Sequence, residues 1–152
     1  MPAEDYTPSY SLLALDFGLR RIGIACGSPI TGTASPLTTV NAKDGEPDWL
    51  TLDSLIDEWK PDLLVLGLPF NSDGSESEMT TRVRAFSEIL QSRYGLRTTL
   101  VDERYTSAEA EAILKQQRKS GLRGKKLKKA DVDSMAATLI AESWMRSRQN
   151  DS

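Results

Sequence analysis

The run Asp62 to Leu68, DLLVLGL, limits the choice of fold more than any other part of the 152-residue chain. After its opening aspartate it is apolar without a break and of strand length, so a pleated strand made from it presents hydrophobic side chains to both faces of a sheet. Such a strand belongs at the centre of a parallel arrangement with helices on each side. The rest of the chain must therefore supply neighbouring strands and amphipathic helices to cover them.

A second apolar run, Leu12, Leu13, Ala14 and Leu15, has the same character but ends in a charge, Asp16. Gly18 and Arg20–Arg21 read as a turn, after which Ile22, Ile24 and Ala25 return as a partner strand. Asp16 then lies at the end of a sheet. An ionised carboxylate pressed against apolar neighbours is costly unless a metal ion or a cationic partner compensates it. The other reading is a turn aspartate that caps Gly18.

Taken in order, Thr33 to Val40 (TASPLTTV) reads as a third strand, placed near an edge by Pro36, with Asn41 to Gly45 turning the chain. Pro47 and Asp48 mark a helix start, and Leu52, Leu55, Ile56 and Trp59 form a core-facing stripe that Pro61 ends. After the central strand comes a polar loop, Pro69 to Ser77, and then a helix with Met79, Val83, Phe86 and Leu90 on one face and Gly95 at its end. Arg97 to Val101 is a further buried strand closed by Asp102, Glu103 and Arg104. Thr106 or Ser107 can cap a helix running through Ala110, Ile113 and Leu114. The last helix starts near Ala130 with Asp133 in its first turn. It places Val132, Met135, Ala136, Leu139, Ile140 and Ser143 on its buried side. The alternation implies an α/β fold with parallel connections after an antiparallel start, in one domain spanning 11–147 between tails at 1–10 and 148–152.

Two features of composition narrow the chemistry. Histidine is absent, which excludes Ser-His-Asp and Cys-His nucleophiles, and a single cysteine cannot supply the soft ligands of a zinc site. Cys26, in the apolar second strand, reads as a buried thiol in a reducing compartment. Reactive groups must then be carboxylates, hydroxyls, lysines or a hard metal, and carboxylates favour Mg²⁺ or Mn²⁺. No run approaches the ~20 apolar residues that span a bilayer, and the N-terminus is not a basic leader, so a cytoplasmic protein is expected.

Charge is segregated as well. The stretch RKSGLRGKKLKK carries Arg118, Lys119, Arg123, Lys125, Lys126, Lys128 and Lys129 with no acid among them, in a chain of net charge −3. Such a stretch is either a solvated loop or a contact for the backbone of a nucleic acid, and the segregation favours the second.

Three carboxylates occupy comparable topological places: Asp16 ending the first strand, Asp102–Glu103 ending a later parallel strand, and Asp133 opening the last helix. In open α/β sheets the carboxyl ends of strands face the functional crevice. Three such acids repel one another, and two divalent cations about 4 Å apart reverse that while activating water and stabilising a leaving oxygen. The expected chemistry is phosphodiester hydrolysis. Because strand side chains alternate, Asp102 and Glu103 cannot both face one site, and Glu103 is the choice. Asp131 competes with Asp133, whose plainer reading is a helix-start acid.

Four ordered segments, LDFGLRRIGIACG, LVLGLPFNSDG, VDERYTSAEA and DSMAATLIAESW, resemble the YqgF family over about Leu12 to Met145. The resemblance implies an RNase H-like fold related to Holliday junction resolvases of the RuvC type, with a mixed sheet of five strands flanked by helices. Matched by motif, Asp16, Glu103 and Asp133 are the expected catalytic and metal-binding acids for Mg²⁺ or Mn²⁺. Family members are described as Holliday junction resolvases or as nucleases processing the 5′ end of precursor 16S ribosomal RNA. Expected partners are therefore precursor rRNA or branched DNA, with a ribosome, and a monomer or a homodimer. Arg20, Arg104, Arg123, Lys125, Lys126, Lys128 and Lys129 are the expected nucleic-acid contacts. Asn71, Asp73 and Gly74 keep the family's loop pattern although Ser72 stands where Met is common, so the loop is either a substrate contact or a connection. Two other classes compete: a phosphotransferase of the actin and sugar kinase type, disfavoured by length, and a binding module associated with ribosomes or transcription.

Overall fold

The structure, a computed structural model of the chain, describes residues 11–102 and 129–150. Among these residues, six strands and three helices follow in the order β1 (Leu12–Asp16), β2 (Arg21–Ser28), β3 (Thr33–Lys43), β4 (Glu46–Pro47), α1 (Trp49–Trp59), β5 (Leu63–Leu68), α2 (Glu78–Tyr94), β6 (Arg97–Asp102) and α3 (Lys129–Asn150). The sheet order is β4-β3-β2-β1-β5-β6. β1, β2 and β3 are antiparallel neighbours, and β5 and β6 continue from β1 in parallel. This is the expected mixed sheet, with one strand more than the five predicted.

The sixth strand corrects the expected turn over Asn41 to Gly45. β3 runs on to Lys43, and only Asp44 and Gly45 turn, with φ of 51° and 85°, so that Lys43 pairs with Glu46. Two consecutive residues with positive φ make the tight hairpin that matches strand twist, and Asp-Gly is the sequence suited to it. The turn is tied down by Gly45 N–H donating to Leu19 O and by Arg82 Nη1 donating to Asp44 O.

Every residue of β5 is buried, as its sequence demands. Alternation sorts the side chains of the central strands into two layers. Leu13, Leu15, Ile22, Ile24, Leu64 and Leu66 pack with Leu52 of α1 and Val83, Phe86 and Leu90 of α2. On the other face, Leu12, Ala14, Ala25, Leu63 and Val65 pack with Ala137, Ile140, Ala141 and Met145 of α3. Burial of these apolar side chains on both sides supplies the main driving force for folding, at roughly 1.5–3 kcal/mol for each large one.

The helices begin and end on recognisable chemistry. At the start of α2, Ser77 Oγ accepts from Thr80 N–H and Thr80 Oγ1 accepts from Ser77 N–H, a reciprocal cap. Thr80 Oγ1 also donates to Pro69 O, joining the helix to the loop before it. Gly95 closes α2 through its N–H to Gln91 O.

Four expectations need adjusting. Trp59 is 38% exposed because it ends α1 one turn after Ile56, the last residue of that helix packed on the core. Cys26 is half-buried rather than buried. Arg21, assigned to the turn, is the first residue of β2. α3 starts at Lys129, so Asp133 lies one turn in, and the helix continues through the expected tail to Asn150. Its sheet-facing residues are the small Ala137 and Ala141 with Ile140 between them, which let the helix lie close to the strands. Ala136 and Leu139 are buried as a separate cluster, and Val132, Met135 and Ser143 are half-buried. Among the described residues no helix is long and apolar enough to cross a membrane.

Candidate active site

β1, β5 and β6 are parallel, so Asp16, the loop after Leu68 and Asp102 all lie at one edge of the sheet. β2 begins at that edge with Arg21, and α3 passes over it. The edge is therefore where the ends of the parallel strands meet the first turns of a helix, the expected position of a functional crevice.

Gly23 organises the contact between them. It is the cross-strand partner of Asp16, and directly opposed residues in an antiparallel pair project to the same face. A Cβ at position 23 would lie 2.1 Å from the carbonyl oxygen of Asp133 and 3.0 Å from its Cβ. The absent side chain is thus the space that the backbone of Asp133 fills. Asp16 and Asp133 both adjoin this one glycine, on the face covered by α3. Asp16 is half-buried.

Arg21 completes the cluster. Two residues before Gly23, it projects to the same face, and its Nε donates to Asp133 Oδ2 at 2.8 Å. The two side chains are 31% and 24% exposed, so the pair is partly shielded from water. Arg21 is the residue of this cluster that sequence reasoning passed over in favour of Arg20. A signal was available: counting in twos back from Gly23 puts Arg21, and not Arg20, beside the acids. Arg20 is exposed, and its carbonyl accepts from Ala42 N–H.

At β6 the register assigns Asp102 to a face. Leu100 belongs to the layer facing α1 and α2, whereas Val101 packs with the α3 layer. Asp102 therefore follows Leu100 onto the face away from Asp16. Glu103 and Arg104 lie outside the described residues, as do Arg118, Lys119, Arg123, Lys125, Lys126, Lys128, the predicted helix through Ala110, Ile113 and Leu114, and the side chains of Lys129 and Asp131. Among the described residues no three His, Cys, Asp or Glu side chains group as metal ligands.

The loop residues Asn71, Asp73 and Gly74 are exposed and make an internal turn. Asn71 Nδ2 donates to Ser75 Oγ at 2.9 Å, Asp73 Oδ1 accepts from both the N–H and the hydroxyl of Ser75, and Gly74 N–H donates to Asn71 O. The Ser75 hydrogen bonds hold the Asp73 carboxyl below its usual range. These contacts give the pattern a structural role of its own.

The fold is that of the RNase H-like class. Thermus thermophilus RuvC, solved in complex with a Holliday junction substrate, aligns with a TM-score of 0.56 over 91% of this chain and 96% of that one, at 12% identity. The fowlpox virus Holliday junction resolvase aligns with a TM-score of 0.50 over 91% and 99%, at 13% identity. Within that class the chain belongs to the RuvX family, whose model, described as Holliday junction resolvase, matches residues 10–147. Relatives from Pectobacterium carotovorum (45% identical, covering 92% of this chain and 98% of the relative) and Salmonella arizonae (46%, covering 90% and 96%) carry the name "Putative pre-16S rRNA nuclease".

Proposed function

We propose that the protein is a divalent-metal-dependent nuclease that hydrolyses phosphodiester bonds in the 5′ segment of precursor 16S rRNA, with Asp16, Glu103 and Asp133 as its metal-binding acids. The observation carrying this reading is the placement of Asp16 and Asp133 against Gly23, on one face, at the carboxyl edge of the parallel strands. Glu103 is preferred to Asp102 because Asp102 falls on the opposite face. The names of the two relatives supply the substrate.

The donor set suits a hard cation. Two carboxylates on one face offer oxygen ligands, with no histidine in the chain and Cys26 on the other layer, a chemistry that fits Mg²⁺ or Mn²⁺ and not zinc. When bound, such ions activate water and stabilise the leaving oxygen. The chain's own residues do the positioning. Gly23 lets α3 bring Asp133 down to the sheet, Arg21 holds that carboxylate, and Arg20 with Arg104, Arg123, Lys125, Lys126, Lys128 and Lys129 contacts the phosphate backbone.

The family description favours a second reading, cleavage of branched DNA, in which the same acids would act and symmetric cutting of two strands would call for a homodimer. Matched substrates separate the two. A precursor rRNA 5′ segment and a synthetic four-way DNA junction are incubated with wild type and Asp16→Asn in Mg²⁺, Mn²⁺ or chelator. Metal-dependent cutting of the RNA alone, lost in the variant, is the expected result. Cutting of the junction alone moves the assignment to the resolvase, and tight binding without cutting moves it to a binding module.

A further inference from the structure

We infer that Arg21 is the resident counter-ion of Asp133, so that a divalent cation reaching this face competes with its guanidinium for the Asp133 carboxylate. The inference rests on the reading of Asp16 and Asp133 as cation ligands. Arg21 Nε engages Oδ2 at 2.8 Å, and among the described residues Oδ1 of Asp133 accepts no hydrogen bond. In the metal-free protein two acids adjoin one glycine, and the guanidinium offsets the charge of Asp133. A divalent cation brought to Asp133 meets that guanidinium at close range and in a partly shielded setting. The two cations repel each other and share one carboxylate. Arg21 therefore lowers the affinity of the site for metal while it stabilises the metal-free state, and removing its charge strengthens metal binding by roughly tenfold for a pair of this exposure.

Mn²⁺ titration by calorimetry, on chelator-stripped protein without nucleic acid, tests this in wild type, Arg21→Gln, Arg21→Lys and Asp133→Asn. Arg21→Gln is expected to bind Mn²⁺ roughly tenfold tighter, and Arg21→Lys, which keeps the charge, to stay within about threefold of wild type. The melting temperature of metal-free Arg21→Gln should fall, and the gap between its metal-free and metal-loaded melts should widen. Equal or weaker binding in Arg21→Gln, with binding still lost in Asp133→Asn, overturns the counter-ion role and leaves the metal site standing. Binding that survives Asp133→Asn unchanged overturns both. Should Arg21→Gln not fold, the Nε–H resonance of Arg21 in the wild type reports directly. A saturable shift on Mg²⁺ titration is expected, and an unchanged signal at saturation overturns the inference.

Discussion

Gly23 is where a single atom decides the geometry of the site. Alanine there puts a methyl group inside contact distance of backbone atoms of Asp133, which cannot rotate away as a side chain would. The strand or helix must shift, at a cost of about 1–3 kcal/mol for overpacking of this kind. Gly23→Ala is therefore expected to lower the melting temperature in chelator and to abolish metal-dependent cleavage, with its secondary structure retained by far-UV circular dichroism. A melt unchanged from wild type would show that Asp133 does not press on this position. The place of Asp16 at the end of β1 was legible in the sequence because a charge terminating an unbroken apolar run stands out. Arg21 was not, because two adjacent arginines look alike until the strand register assigns them to different faces.

Between elements, the clearest link is the clamp between α1 and α2. Arg93 donates through Nε and Nη2 to both oxygens of Asp53 at 2.9 and 2.7 Å, Tyr94 Oη donates to Asp53 Oδ1 at 2.6 Å, and the Arg93 guanidinium lies 4.4 Å from the centre of the Trp49 ring. The Arg93 hydrogen bonds first, then that of Tyr94, hold the Asp53 carboxyl at about 2, and burial with the Asp53 hydrogen bond pushes the Tyr94 phenol up. A carboxyl depressed in the folded state contributes stability above its unfolded value near 4, and that contribution is lost as pH falls towards 2. Urea midpoints should thus drop more steeply between pH 4 and 2 in wild type than in Asp53→Asn, and parallel curves would remove the clamp from the acid response. The helices themselves were legible from apolar spacing, Pro61 and Gly95. β4 was not, although Asp44-Gly45 is a hairpin signature: a two-residue strand has too little pattern to announce itself. The buried face of α3 was only partly legible because alanines carry little periodic signal, yet Ala137 and Ala141 form its contact with the sheet.

On the scale of the molecule, the order of strands and the two layers follow from two apolar runs, in β1 and β5, that must be covered on both faces. Charge follows a separate logic. The chain is acidic, with a pI near 5.1, so on the proposed reading attraction to a polyanion is concentrated in the basic stretch 118–129 rather than spread over the whole surface. RNA affinity should accordingly fall steeply with salt. Replacing Lys125, Lys126, Lys128 and Lys129 by Gln should flatten the slope of log K against log salt by roughly 0.7 for each phosphate of a single strand that is no longer neutralised. A slope unaltered by the fourfold change would move the contact elsewhere on the protein.

The two layers are also closed at different times. α1 and α2 lie between the strands in sequence, whereas α3 comes after all of them. A nascent chain shorter than residue 129 has the material for the Leu13 and Leu15 layer but lacks the α3 residues that pack on Leu12, Ala14, Ala25, Leu63 and Val65, and it lacks Asp133. Domains fold as they emerge during synthesis, N-terminal parts first. On the proposed reading of Asp133 as a metal-binding acid, a growing chain therefore carries no complete set of acids, and cannot cut nucleic acid, until α3 has been made.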